Sequence, residues 1–224
     1  MGLFLSMLAC RSDSQDRVCE AIVDVIGRRG TPLLGKQKVD RITGEEDKYA
    51  VTLAENGWVQ VFMPETPDPE LAQEISRLLG APVFQFHIHD GDLWMYELFS
   101  NGKQQDRFCQ IPDYWADVDD SEKSSWQGNP SVLSSLFNVP ERLLRPYFVF
   151  TQELDTAGLQ EKAFPDDRFP IGSEWAMTDF QRKLAIRYPD FGQPKTVELA
   201  CLVFGGPSPT TPASPPTKPW WRFW

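Results

Sequence analysis

Hydrophobic and polar positions change period along the chain, and each change marks an element. Between Val83 and Cys109 the period is two, as in strands whose successive side chains point to opposite faces. Two dipeptides interrupt the run, Asp90-Gly91 and Asn101-Gly102. Both tolerate positive φ at the two central positions of a tight turn, as two-residue hairpin loops require. The stretch therefore predicts three antiparallel strands. With two-residue loops, His89 lies opposite Asp92, His87 opposite Trp94, Gln85 opposite Tyr96, Tyr96 opposite Arg107 and Met95 opposite Phe108. One face then carries Phe84, Phe86, Ile88, Leu93, Met95, Phe99 and Phe108, marred only by Glu97 and Asp106. The other carries Gln85, His87, His89, Asp92, Trp94, Tyr96, Gln105 and Arg107. The first reads as core. The second reads as a recognition surface or a face covered by a polar-edged helix. A one-residue slip in pairing inverts both sets.

Elsewhere the period is helical. Ser12-Asp13-Ser14 offers N-cap residues, and Val18, Ala21, Ile22, Val25 and Ile26 follow at helix spacing up to Gly27–Gly30. Asp68 can cap a second helix with Pro69 in its first turn and Gly80 at its end. Its apolar stripe is Leu71, Ile75, Leu78 and Leu79. Residues 2–10 read as a first strand, and 48–63 as a hairpin around Asn56-Gly57. A short strand is expected near Val39–Ile42 and an acidic loop over 111–128. Helical pieces are expected at 130–137, 140–148 and 173–186, an extended stretch at Phe148–Gln152, and a last buried strand over 195–204. The predicted class is α+β: a mainly antiparallel β-sheet, with hairpins at 48–63 and 83–109, packed with helices. Residues 1–204 form one domain. Residues 205–219 are almost wholly Gly, Pro, Ser and Thr, a composition that predicts a disordered or polyproline tail through 224.

Charge narrows the function. The 224 residues carry a formal net charge of −10. An acidic surface repels phosphates, which disfavours nucleic acid, and it attracts a basic partner. No apolar run is long enough for a membrane-spanning helix. Cys10, Cys19, Cys109 and Cys201 are scattered, without a zinc-type C-x-x-C pair. Reduced thiols of a cytoplasmic protein are the expectation. The alternative is a lipoprotein anchored through Cys10, from a weak resemblance of Ser6–Cys10 to a lipidation box, although no basic residue precedes the run.

Candidate chemistry is sparse. His87 and His89 are the two histidines of the chain, two residues apart and thus on one face of a strand. With Asp92 they could offer three ligands to a divalent metal. Asp117, Asp119 and Ser121 match alternate positions of a calcium loop, but Glu122 and Gly128 stand where glycine and the bidentate glutamate belong. Asp113, Asp117, Asp119, Asp120 and Glu122 instead suit a lure for a basic partner. There is no nucleophile elbow and no glycine-rich phosphate loop. Trp94, Tyr96 and Arg107 are candidate binding residues, with a Tyr96–Arg107 cation–π contact. So are Trp220, Trp221, Arg222, Phe223 and Trp224, a docking motif on a Pro-rich spacer. The leading expectation is a non-catalytic binding protein without cofactor. Its concrete form is a bacterial immunity-type inhibitor that masks a basic toxin. The alternative is a metal-dependent enzyme using His87 and His89.

Overall fold

A computed structural model describes residues 2–39, 48–64, 66–189 and 199–205. Eight strands form one antiparallel sheet: β1 (Leu5–Arg11), β2 (Leu33–Val39), β3 (Lys48–Thr52), β4 (Trp58–Met63), β5 (Val83–His89), β6 (Leu93–Ser100), β7 (Lys103–Cys109) and β8 (Leu199–Phe204). Their order is β2-β8-β3-β4-β1-β5-β6-β7. The first strand therefore lies inside the sheet, with Leu8 opposite Val61 on one side and Gln85 on the other. The α+β class and the antiparallel sheet are as the pattern predicts.

The two long helices are α1 (Gln15–Arg28) and α2 (Pro69–Leu79). Their ends follow from side-chain chemistry. Ser14 accepts from the Arg17 N–H and Asp68 from the Leu71 N–H, each satisfying a donor that the first helical turn leaves open. Gly80, at φ +63°, ends α2 in the left-handed conformation. Both helices pack on one face of the sheet, where Val18, Ile22, Leu71 and Ile75 meet Leu8, Val59, Val61 and Val83. Along β1 the alternate residues Met7 and Ala9 face the other way. That second face is covered by the chain beyond residue 129, including α4 (Pro130–Phe137) and α6 (Ala176–Lys183). Two shorter helices, α3 (Asp120–Ser125) and α5 (Thr156–Leu159), lie in the connections.

The second face is aromatic. Phe84 and Phe86 stack at 5.0 Å, and Tyr96 lies nearly parallel to Phe180 at 5.5 Å. Trp94 also meets Phe180, at 5.4 Å. Offset aromatic stacks add to the gain from apolar burial, so this layer is the main cement between the sheet and the C-terminal half.

The hairpins correct the expected register. Asp90 and Gly91 do adopt positive φ, and the Asp92 N–H donates to the His89 carbonyl at 2.9 Å. Asp92, however, stays outside the ladder, and His89 pairs with Leu93. In the next hairpin the turn pairs Ser100 with Lys103 as expected, but the register shifts at Leu98/Phe99 and leaves Gln105 over. Beyond that bulge Tyr96 faces Phe108, and Glu97 faces Arg107. Both slips move β6 by one residue. Leu93, Met95 and Phe99 turn to the side of α2, while Trp94 and Tyr96 enter the aromatic core. The slip is favourable because it puts the two largest side chains of the strand against Phe84, Phe86 and Phe108.

Smaller corrections follow. The edge strand runs over Leu33–Val39, before the place expected, and 40–47 lie outside the described residues. Residues 120–125 of the acidic connection are helical, the piece near 140–148 is two 3₁₀ turns, and residues 151–153 form another.

Candidate functional site

The end of the sheet at the β5–β6 turn gathers the polar groups. His87 sits opposite Ser6 on β1, and its Nδ1 lies 2.8 Å from Ser6 Oγ. His87 Nε2 lies 3.3 Å from His89 Nδ1, and Trp115 Nε1 lies 3.3 Å from His89 Nε2. An indole N–H can only donate. Trp115 therefore fixes the direction of the chain: it donates to His89 Nε2, His89 Nδ1–H donates to His87 Nε2, and His87 Nδ1–H donates to Ser6 Oγ. Both imidazoles are neutral in this arrangement. Burial, with His89 alongside, pushes the His87 pKa down to about 3. The His89 pKa is lowered by burial, against the opposite pull of Asp90 and Asp92.

This relay bears on the expected metal site. A metal ligand must offer a ring-nitrogen lone pair, and the lone pairs of His87 Nε2 and His89 Nε2 accept hydrogen bonds. Asp92 Oδ2 accepts from the Tyr114 O–H at 2.6 Å. Among the described residues no group of three His, Cys, Asp or Glu is placed to hold a metal.

Around the relay runs an acidic, aromatic rim. Asp90 and Asp92 are exposed, while His89, Tyr114 and Trp115 are half-buried. His89 meets Phe4 at 4.9 Å, Trp115 at 5.0 Å and Tyr114 at 5.6 Å, all edge to face. The Tyr114 phenol is pushed up to about 12, first by its bond to Asp92 and then by burial. From Trp115 the chain continues through exposed Asp117, Asp119, Asp120 and Glu122. Asp119 is used as the N-cap of α3, accepting from the Glu122 N–H at 2.9 Å. The acidic run is thus partly a folded element and not a calcium loop.

The other expected binding residues divide. Trp94 and Tyr96 are 1 % exposed, so they form core and not a recognition surface. The Tyr96 hydroxyl donates to Asp106 Oδ2 at 2.6 Å. Arg107 stays on the polar face, but its cation–π partner is Trp126, at 4.2 Å, in place of Tyr96. Trp220, Trp221, Arg222, Phe223 and Trp224 lie outside the described residues. Cys10 is buried in β1, ladder-paired on both sides, and Cys109 is buried beside Trp126. Burial pushes the Cys109 thiol up to about 12, which removes it as a nucleophile at neutral pH.

Ser6, Tyr114 and Trp115 carry no local motif, and their roles come from the strand order and from the return of residues 111–126 across the sheet end. Glu97 was visible as a charge in an apolar strand, and the structure turns it into a second buried polar position, opposite Gln85. No helix of the described residues is long and apolar enough to cross a membrane. No family model, curated protein or solved structure matches the chain.

Proposed function

We propose that the protein is a non-catalytic binding protein that receives a basic protein partner at the rim around His89. The observation that carries this reading is the meeting of exposed Asp90 and Asp92 with half-buried His89, Tyr114 and Trp115 at one end of the sheet. Aromatic rings held by hydrogen bonds supply contact area at low entropic cost, and the carboxylates steer and orient a cation. The net charge of −10 extends that attraction over the molecule. The most concrete version is a bacterial immunity-type inhibitor that covers the basic surface of a toxin. It would work in the cytoplasm, where four buried cysteines suit a reducing compartment.

A Lys- and Arg-rich peptide serves as the probe. Its association rate with the full chain is expected to fall about tenfold between low and physiological salt. Asp90→Asn with Asp92→Asn is expected to weaken binding roughly tenfold, a loss of about 1.4 kcal/mol. Asp13→Asn with Glu20→Gln removes the same charge near α1, at the other end of β1, and should change affinity only about twofold. Equal losses from the two pairs of substitutions would reject the rim as the site.

A further inference from the structure

Glu97 is the one charged residue of β6. It is 3 % exposed and has Gln85 opposite it on β5 and Arg107 opposite it on β7. Directly opposed side chains start about 5 Å apart, well within the reach of an arginine. Yet Arg107 is turned away. Its Nε donates to the Ser125 carbonyl at 3.1 Å, a terminal nitrogen donates to Ser125 Oγ, and the guanidinium lies over Trp126. The hydrogen bond to Glu97 comes from Gln104 Nε2, at 2.6 Å. The Gln85 amide, 2 % exposed, has no partner on either its oxygen or its nitrogen.

A buried carboxylate without its counter-ion is costly, whereas a buried carboxylic acid can donate to an amide oxygen. Burial pushes Glu97 up to about 8, against the lowering effect of Arg107. The other groups that bear on it are few. Gln104 and Gln85 are neutral, and His87, two residues along β5 on the same face, is neutral as well. Arg77 of α2 is held by Glu74. Glu122 of α3 also acts on Arg107, so the guanidinium feels a buried acid and an exposed one.

We propose that Arg107 is a two-position latch governed by the proton on Glu97. With Glu97 protonated, Arg107 holds Ser125 and Trp126 against the end of β7. When the Glu97 proton leaves to solvent, Arg107 swings onto the carboxylate across the ladder and releases the 125–126 turn. The released turn is the one whose Trp126 carbonyl accepts from the Cys109 N–H at 3.0 Å, so the motion loosens the return of residues 111–126. The latch operates whatever occupies the rim.

The test is a pH titration of the full, isotope-labelled chain by nuclear magnetic resonance, from about pH 6 to about pH 9.5. It follows the Glu97 carboxyl carbon, the Arg107 Nε–H and the Trp126 indole together. The three signals are expected to move with a common midpoint near 8. In Glu97→Gln, which keeps the shape of the neutral acid, the Arg107 and Trp126 signals should stay at their low-pH positions. Arg107→Lys, which cannot reproduce the forked contact to Ser125, should shift the Trp126 signal at low pH already. A Glu97 midpoint in the ordinary carboxylate range overturns the proposal. So does a Glu97 titration that leaves Arg107 and Trp126 unmoved, or a Trp126 shift that persists in Glu97→Gln.

Discussion

The two faces of the sheet solve different problems at the same place. On β5 the even positions Phe84, Phe86 and Ile88 join a dry aromatic layer, while the odd positions Gln85, His87 and His89 line a polar seam. Apart from half-buried His89, both are almost fully buried. The aromatic face gains from every contact it makes, whereas the seam gives up hydration for hydrogen bonds that are only partly made. Stability is therefore concentrated on one side and sensitivity to protons on the other. The relay of Trp115, His89, His87 and Ser6 suits two uncharged imidazoles, and burial raises the pKa of Glu97, whose hydrogen bond comes from a neutral amide.

The largest expected effect breaks the dry face. Phe180 meets Phe86, Trp94, Tyr96, Tyr147 and Phe148. Phe180→Ala is expected to cost about 3–5 kcal/mol in urea unfolding, from lost burial and the cavity left behind. A cost near 1 kcal/mol would mean that the aromatic layer is not the cement between the two halves. A smaller effect of opposite sign sharpens the contrast. Gln85→Leu removes an amide that has no partner, and should leave stability unchanged or raise it by about 1 kcal/mol. A clear loss would show that the Gln85 amide is satisfied and that the seam is better bonded than its geometry indicates.

Much of this contrast was legible in the sequence, and the part that was not has a specific cause. Caps announced both long helices, because Ser14, Asp68 and Gly80 act locally. The turn at Asp90-Gly91 and that at Asn101-Gly102 were legible for the same reason. The strand faces were not. Whether Asp92 and Gln105 join their ladders is decided by how well Trp94 and Tyr96 fill the space beside Phe180, a residue more than eighty positions away. One residue of slip carried Trp94 and Tyr96 from an expected binding surface into the core. The histidines were conspicuous in the sequence, but their roles depend on Ser6 and Trp115, which reach them only through the fold.

The measurement that tests most directly whether proton sensitivity resides in the seam is equilibrium stability as a function of pH. It compares the parent chain with His87→Asn and Glu97→Gln. The unfolded histidine binds its proton below its ordinary value of 6.5, while folded His87 stays neutral to about 3. Its contribution is fully present above 6.5 and is lost as pH falls toward 3. Unfolded glutamate loses its proton above 4.5, while folded Glu97 keeps it to about 8, so stability falls as pH rises between those values. Each arm has a slope of about 1.4 kcal/mol per pH unit. Between 4.5 and 6.5 the contributions of His87 and Glu97 oppose one another, while His89, whose pKa is lowered as well, adds to the fall on the acid side. His87→Asn is expected to make the acid arm shallower, the remainder coming from His89, and Glu97→Gln to make the arm from 6.5 to 8 shallower. Variants that leave both arms as steep as in the parent would contradict the seam as their source.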